Sequence, residues 1–241
     1  MPEGNADAVP RSGLRYPGAA GRPRHPAVAR AISAISGQGV LGIIRAPSGA
    51  EAYDLAMALW QAGLRAVEIS VSTPGALDAL ADLVAARPDA ESVIGAGTIT
   101  DARTARSAVG AGADLLVSPI VERGVISVGR EAGVAVLVGA ATPTEAVAAL
   151  KAGGSLVKLF PAGMFTPASV TDILQALPAL PLVPTGGIRV ADVSTWIAAG
   201  AVAVGIGGAL TAGSSAELPD RVRSSLAAAA AGRGNRESRG D

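Results

Sequence analysis

The sequence has no cysteine and a single histidine, His25. Without cysteine the chain can form no disulfide, and it has no thiolate nucleophile or cysteine metal ligand. His25 lies in a segment rich in proline, arginine and glycine, where an ordinary exposed side chain is expected. A Ser-His-Asp triad and a histidine-ligated zinc site would therefore lack their usual base or ligand. Any catalysis must use lysine, arginine, carboxylates, hydroxyls and backbone groups, and we expect no metal and no cofactor.

An excess of charge and long apolar runs are absent as well. The 241 residues have a formal net charge of zero, and no basic stripe appears that could follow a nucleic acid backbone. No segment reaches the roughly eighteen consecutive apolar residues that a membrane-spanning helix needs. We therefore expect neither nucleic acid nor a membrane as a partner. The lack of disulfides fits a reducing compartment, so a cytoplasmic location is expected.

The two ends of the chain lack the hydrophobic periodicity of the part between them. Residues 1–26 and 232–241 are rich in glycine and arginine, and both are expected to be disordered tails. The first tail contains no apolar segment that resembles a secretory signal. Residues 27–231 are expected to form a single domain that starts with a short helix over residues 27–36.

Within this domain an Ala-Gly pair repeatedly separates a helical stretch from a short apolar strand. Glycine often ends a helix in the left-handed conformation, so each pair marks the end of a helix. The pairs stand at residues 62–63, 111–112, 132–133, 152–153 and 199–200. With further strands in the longer gaps and at the start, the pattern predicts strands at 40–45, 66–71, 92–97, 114–118, 134–139, 156–160, 181–185 and 201–206.

Strands that alternate with helices predict parallel pairing. Eight such units in roughly 200 residues match a single (β/α)8 TIM barrel, completed here by a helix over residues 217–230. An open, doubly wound sheet is the alternative fold. It is disfavoured because the first strand is not followed by the Gly-x-Gly-x-x-Gly loop of dinucleotide-binding proteins.

Lys158 is unusual because the chain has only two lysines among its 20 basic residues. It lies in an apolar strand, where burial of an ammonium group costs on the order of several kcal/mol unless the group is paired or loses its proton. One interpretation is a structural ion pair with a carboxylate across the barrel. The preferred one is an amine that attacks a carbonyl group and forms a Schiff base.

Other polar residues also interrupt the strands near their carboxyl ends, where the reactive groups of such a barrel lie. Glu68 either neutralises a neighbouring cation or transfers protons beside a Schiff base. Arg45 either forms an ion pair at the barrel mouth or holds a substrate carboxylate with its planar fork. Thr98 either caps a helix or contacts the substrate. Thr185 ends the seventh strand, and we expect all these side chains to converge with Lys158.

Glycine pairs follow the last two strands, Gly186 with Gly187 and Gly207 with Gly208. Glycine allows the backbone to approach a ligand closely, and its N–H groups can then hold an anion. A single pair is explained equally well by a tight turn. Two pairs in neighbouring loops of a barrel indicate a phosphate site.

Taken in chain order, six stretches resemble the class I aldolases that cleave 2-keto-3-deoxy-6-phosphogluconate (KDPG) and 4-hydroxy-2-oxoglutarate (KHG). The resemblance covers about residues 28–212. The matching stretches are Val67-Glu68-Ile69, Gly95-Ala96-Gly97-Thr98, Ser118-Pro119, Val157-Lys158-Leu159-Phe160-Pro161-Ala162, Pro184-Thr185-Gly186-Gly187-Ile188 and Gly205-Ile206-Gly207-Gly208. The resemblance implies a homotrimer that acts on a phosphorylated keto acid and needs no metal, because the iminium group accepts the electrons.

The resemblance also implies a role for each candidate residue. Lys158 would form the Schiff base with the pyruvate part of the substrate, and Glu68 would be the acid/base group. Thr98 and Thr185 would line the substrate. The phosphate would be held by Gly186, Gly187, Gly207 and Gly208.

Two positions depart from the family pattern. Ser72 stands where the phosphogluconate branch has an arginine, and the segment around it is closer to the 6-phosphogalactonate branch. Arg45 also resembles that branch and would hold the substrate carboxylate instead. Ala209 lacks the hydroxyl group that many members have after the glycines of the eighth loop.

The expected activity is cleavage of a phosphorylated 2-keto-3-deoxy sugar acid to pyruvate and glyceraldehyde 3-phosphate. One alternative is cleavage of an unphosphorylated 2-oxo acid, such as 4-hydroxy-2-oxoglutarate, to pyruvate and glyoxylate. A second is a phosphate-ligand-binding barrel without lyase activity, in which Lys158 is only an anion contact. A third is an isomerase or epimerase on the same fold.

Overall fold

The computed structural model describes residues 25–238, so most of the predicted N-terminal tail lies outside the described residues. Within this range, eight strands alternate with helices. The strands are β1 Val40–Ile44, β2 Ala66–Ser70, β3 Val93–Gly97, β4 Leu115–Ser118, β5 Ala135–Ala140, β6 Leu156–Leu159, β7 Leu182–Pro184 and β8 Val204–Ile206. The helices are α1 Pro26–Gln38, α2 Gly49–Gln61, α3 Ala76–Ala85, α4 Ala102–Gly110, α5 Arg123–Ala132, α6 Pro143–Ala152, α7 Pro167–Ala176, α8 Val193–Ala198, α9 Gly208–Thr211 and α10 Leu218–Glu237.

The strands form one parallel sheet in the order β7-β6-β5-β4-β3-β2-β1-β8. The two outer strands of this order also meet. Thr185, just after β7, forms a parallel bridge with Gly205 of β8, and the Val202 N–H group donates a hydrogen bond of 3.0 Å to the Leu182 carbonyl. The sheet therefore curls into a nearly closed barrel. The predicted TIM-barrel fold is confirmed, and the open doubly wound sheet is wrong.

Alternate residues of each strand point to two separate cores. On β5, for example, Val136 and Val138 pack with the helices in the outer core, whereas Ala135 and Leu137 belong to the inner cluster. The barrel interior is filled at this level by inward-facing aliphatic side chains of strands β1 to β7 and by Ala203, which directly precedes β8. The strand residues are Leu41, Ala66, Val93, Leu115, Val117, Ala135, Leu137, Leu156 and Val183. This period of two fixes which residues face the interior farther along each strand.

Helix α1 closes the end of the barrel at which the strands begin. Its Ala31, Ala34 and Ile35 are buried in the same cluster as the interior residues of the strands. Arg30 of this helix forms a salt bridge with Asp114. Because α1 occupies this end, a ligand can reach the interior only from the end at which the strands finish.

The C-terminal boundary differs from the prediction. Residues 232–241 were expected to form a disordered tail, but α10 continues to Glu237, and only residues 239–241 lie outside the described range. Gly232 is buried against α8, where a Cβ atom would lie 2.5 Å from the Ser194 carbonyl oxygen and 2.8 Å from Ile197 Cβ. This glycine permits two helices to pack closely instead of ending one. None of the helices in residues 25–238 combines the length and the apolar character needed to cross a membrane.

Candidate active site

Glycines on three strands leave space near the carboxyl end of the barrel. A Cβ atom at Gly97 of β3 would lie 2.6 Å from Glu68 Oε1, and one at Gly205 of β8 would lie 2.4 Å from Thr185 Oγ1. A Cβ atom at Gly139 of β5 would lie 2.0 Å from the Pro119 carbonyl oxygen. These contacts are shorter than real atoms allow, so Gly97 and Gly205 provide the volume that the Glu68 and Thr185 side chains occupy, and Gly139 provides room for the backbone at Pro119.

Lys158 faces this interior space. Its neighbours Val157 and Leu159 pack into the outer core, whereas Leu156 belongs to the inner cluster, so the alternation along β6 turns Lys158 inward. The residue is only 3% exposed, and its Nζ lies 5.1 Å from the centroid of the Phe160 ring. Within residues 25–238 it takes part in no salt bridge. The structure therefore does not support the structural ion pair considered from the sequence.

Glu68 lies in the same space, on β2. It is 1% exposed, and its Oε2 atom is buried without a hydrogen-bond partner. Burial raises the pKa of this carboxyl group, while the positive charges of Lys158 and Arg45 offset part of that rise. Lys158 and Arg45 are thus the two cations whose charges act on Glu68. A buried carboxyl group with a raised pKa is better suited than an ordinary one to donate a proton as well as to accept it.

Thr98 follows β3 in a conformation that threonine rarely adopts. Its φ angle is 63°, the only positive φ of a non-glycine residue in the described part of the chain. The Oγ1 atom is hydrogen-bonded to Ser70 Oγ at 2.7 Å, and Ser70 Oγ is 2.8 Å from Ser72 Oγ. The helix-cap interpretation of Thr98 is wrong, because Asp101 caps α4. Backbone strain of this kind is often concentrated at functional sites.

Ser70 was not predicted as a site residue, although a signal was available. It stands two residues after Glu68 on β2, so the same alternation turns its side chain inward. It is fully buried, and its hydroxyl group links Thr98 to Ser72. A buried hydroxyl on the inward face of a strand end could have been selected by the reasoning that selected Glu68.

A pocket of about 300 Å³ lies beside these residues, above β7 and β8. Both predicted glycine pairs line it, and Gly186 and Gly187 have φ angles of 99° and 79°. Such angles favour glycine and turn the backbone sharply at the rim. The other predicted site residues that border the pocket are Arg45 and Thr185. Phe160 borders it as well and connects it with Lys158.

The pocket has one positively charged residue that the sequence reasoning missed, Arg189. Its signal was its position two residues after the second glycine of a pair already assigned to an anion. A larger groove of about 830 Å³ lies between α2 and α3 on the outside of the barrel. None of the predicted site residues lines that groove, so we assign the site by chemistry and not by volume.

Residues 25–238 contain no group of three or more histidine, aspartate or glutamate side chains able to hold a metal ion.

Comparison with known proteins agrees with this arrangement. The family model for KDPG and KHG aldolase matches residues 32–223. The chain is 33% identical over 172 residues to the probable 2-dehydro-3-deoxy-6-phosphogalactonate aldolase of Rhizobium meliloti (strain 1021), which covers 71% of this chain and 81% of that protein. It is 34% identical over 149 residues to the 2-dehydro-3-deoxy-phosphogluconate aldolase of Treponema pallidum (strain Nichols), which covers 61% and 70%.

The fold comparison agrees with the sequence comparison. A solved native KDPGal structure superposes with a TM-score of 0.75 at 28% identity, over 80% of this chain and 95% of that chain. The match of the family model extends from α1 into α10 and so includes every strand of the barrel. The chain belongs to the KDPG and KHG aldolase family of carbon–carbon lyases.

Proposed function

We propose that the protein is a Schiff-base aldolase that cleaves a phosphorylated 2-keto-3-deoxy sugar acid to pyruvate and glyceraldehyde 3-phosphate. The observation that carries the proposal is the placement of Lys158. Its amine is buried in the barrel without a salt bridge to any described residue, in the space that also holds Glu68. A buried amine beside a carboxyl group that can exchange protons supplies both groups that imine chemistry requires.

In the proposed reaction, the Lys158 amine attacks the keto carbon of the substrate, and the resulting carbinolamine loses water to form an iminium ion. Glu68 removes the proton from the C4 hydroxyl group as the C3–C4 bond breaks. The electron pair of that bond moves onto C3 and is delocalised into the iminium as an enamine, and the aldehyde departs. Glu68 then returns a proton to C3, and water releases pyruvate from Lys158.

The remaining residues suit the two anionic ends of such a substrate. Arg45 acts electrostatically on Glu68 and also lines the glycine pocket, so its guanidinium group lies between the two regions. We assign it to the substrate carboxylate, because a planar guanidinium matches a carboxylate with two parallel hydrogen bonds. The backbone of the four predicted glycines, Gly186, Gly187, Gly207 and Gly208, is assigned to the phosphate, since all four line this pocket.

The assignment to a phosphorylated keto acid is also supported by the relatives, which are named for the phosphogalactonate and phosphogluconate series. A homotrimer in the cytoplasm, expected from the sequence, stays a prediction. Size-exclusion chromatography with light scattering measures the number of subunits. Cleavage assays with the gluconate, galactonate and unphosphorylated 4-hydroxy-2-oxoglutarate substrates identify the substrate acid.

The test of the mechanism is borohydride reduction in the presence of pyruvate, followed by intact mass measurement and peptide mapping. We expect one stable adduct on the peptide that contains Lys158. The chain provides its own control, since its other lysine, Lys151, is exposed on α6. Lys151→Ala should retain the adduct, and Lys158→Ala should lose both the adduct and cleavage. A folded parent protein without an adduct would support the alternative of a phosphate-ligand-binding barrel.

A further inference from the structure

Arg189 gives the glycine pocket a second positive charge. Together with Arg45 it lines the pocket, and no carboxylate is found among the lining residues of the described chain. The Arg189 side chain is 77% exposed, so substrate can reach it from solvent. It lies two residues after Gly187, with Ile188 between them, and both glycines line the same pocket, so it stands beside the backbone assigned to the phosphate.

Asp192 holds Arg189 by one edge of its guanidinium group. Arg189 Nε donates to Asp192 Oδ2 at 2.7 Å, and Arg189 Nη2 donates to Asp192 Oδ1 at 2.9 Å. This bidentate pair uses two of the five N–H donors of the side chain. The Nη1 edge makes no hydrogen bond to a described residue. Asp192 thus fixes the plane of the group and leaves a second edge available for an anion.

The pocket lies above β7 and β8 and is lined by both glycine pairs, so a phosphate is the anion that we expect there. Ala209 borders the same pocket and offers only a methyl group, so no side-chain hydroxyl is available at that point. A guanidinium edge can present two parallel N–H donors to two oxygens of a phosphate, and this contact is stronger than a neutral hydrogen bond.

We infer that Arg189 is a specificity-determining residue that binds the phosphate group of the substrate through its Nη1 edge, with Asp192 as the residue that positions it. This inference rests on the proposed function and extends it. It assigns discrimination between phosphorylated and unphosphorylated substrates to one side chain outside the glycine backbone.

The test uses Arg189→Gln in the condensation direction, with pyruvate and either glyceraldehyde 3-phosphate or unphosphorylated glyceraldehyde. We expect the KM for glyceraldehyde 3-phosphate to rise roughly tenfold, as for loss of one charge-assisted contact, while kcat changes little. The KM for glyceraldehyde should stay within about twofold. Inhibition by inorganic phosphate should weaken by a similar factor of roughly ten. Arg65→Gln is the matched control, because Arg65 is also an exposed arginine paired with a carboxylate, that of Glu91. It stands just before β2, at the closed end of the barrel and away from the pocket.

Two further measurements separate the possible explanations. If Arg189 only ties its loop to Asp192, Asp192→Asn should weaken phosphate inhibition as much as Arg189→Gln does, and that result would overturn the inference. We expect Asp192→Asn to keep phosphate inhibition within about threefold, because the cation remains. Borohydride trapping with pyruvate should be unchanged in Arg189→Gln. No trapping in the parent protein would refute the proposed function, whereas normal trapping with equal KM values in parent and variant would refute only the role of Arg189.

Discussion

Glu68 is a residue whose surroundings oppose its charge. One of its oxygen atoms is buried without a hydrogen-bond partner, and burial is the largest influence on its raised pKa. Leaving a buried polar group unpaired usually costs about 1–3 kcal/mol. A residue kept at such a cost is better explained by chemistry than by stability, and a Glu68→Gln variant separates the chemical role from the structural one.

Glu68→Gln should slow cleavage by about 100-fold to 10,000-fold, because the positioned acid/base group is lost. The same substitution should increase the stability of the fold, although it lowers activity. The folded protein holds a proton at Glu68 more readily than the unfolded chain does, so the free energy of unfolding decreases as the pH rises from the ordinary pKa of 4.5 to the raised value. Glutamine does not titrate, so the variant should unfold at a higher temperature than the parent at neutral pH.

The measurement for Glu68→Gln is thermal unfolding of parent and variant at acidic and neutral pH, alongside turnover. The gap between the two unfolding temperatures should widen as the pH rises above 4.5, because the unfolded parent then loses a proton that the folded protein still holds at Glu68. Turnover within a few-fold of the parent would show that Glu68 is not the acid/base group. An unfolding temperature below that of the parent at neutral pH would show that the carboxylate stabilises the barrel.

Among the elements, α1 has a structural task at the end of the barrel opposite the site. Asp114 fixes it by pairing with Arg30 of this helix, and the same carboxylate also pairs with Arg87 at 2.9 Å and accepts a hydrogen bond from the Ile94 N–H group. Asp114 is only 9% exposed. Removing the carboxylate would leave three donors without this partner, two of them charged.

Asp114→Ala should therefore lower the free energy of unfolding by about 2–4 kcal/mol. KM and the trapping of pyruvate in the folded protein should be unchanged, because the site lies at the other end of the barrel. Asp220→Ala is the control, since Asp220 is an exposed carboxylate paired with Arg223 and should contribute only about 0–1 kcal/mol. Chemical denaturation measures both variants, and equal losses would contradict a special role for Asp114.

At the same scale, the positions of the helix ends were predictable from local chemistry. The glycines of the five Ala-Gly pairs all have positive φ angles, at Gly63, Gly112, Gly133, Gly153 and Gly200. Each of these helix ends depends on the conformation of a single glycine, so a sequence pattern can reveal it. The extension of α10 was not predictable in this way, because Gly232 acts through its contact with Ser194 of another helix. Arg189 was missed for a related reason, since the pocket it lines is formed by loops that are distant in sequence.

At the scale of the whole molecule, the closure of the barrel depends on a short contact. The strands β7 and β8 are joined through the bridge between Thr185 and Gly205, at the same level as the site. Thr185 donates its hydroxyl hydrogen to the Val183 carbonyl at 3.0 Å. Thr185 takes part in closure and is also predicted to contact the substrate, so a change that displaces Thr185 should affect both stability and binding.

Gly205→Ala tests this coupling. The added methyl group would lie 2.4 Å from Thr185 Oγ1, so either the side chain or the bridge must move. We expect a loss of about 1–3 kcal/mol in stability, as for overpacking, together with a higher KM. Gly37→Ala in α1 is the control, because nothing lies within 4 Å of its added methyl group and alanine favours a helix. Unfolding and KM are measured on both, and an unchanged KM in a destabilised Gly205→Ala would separate closure from binding.

The seal that α1 makes at one end of the barrel has a consequence for kinetics. Because one end of the barrel is closed, the substrate and both products must enter and leave through the other end. In the proposed reaction, pyruvate stays covalently attached to Lys158 inside the barrel, while the aldehyde portion lies nearer the open end, beside the glycine pocket. The aldehyde must leave before C3 of the enamine is protonated and water hydrolyses the resulting iminium to free the second product. The covalent bond to Lys158 thus sets the order of product release, and the closed end of the barrel requires both products to leave past the same pocket.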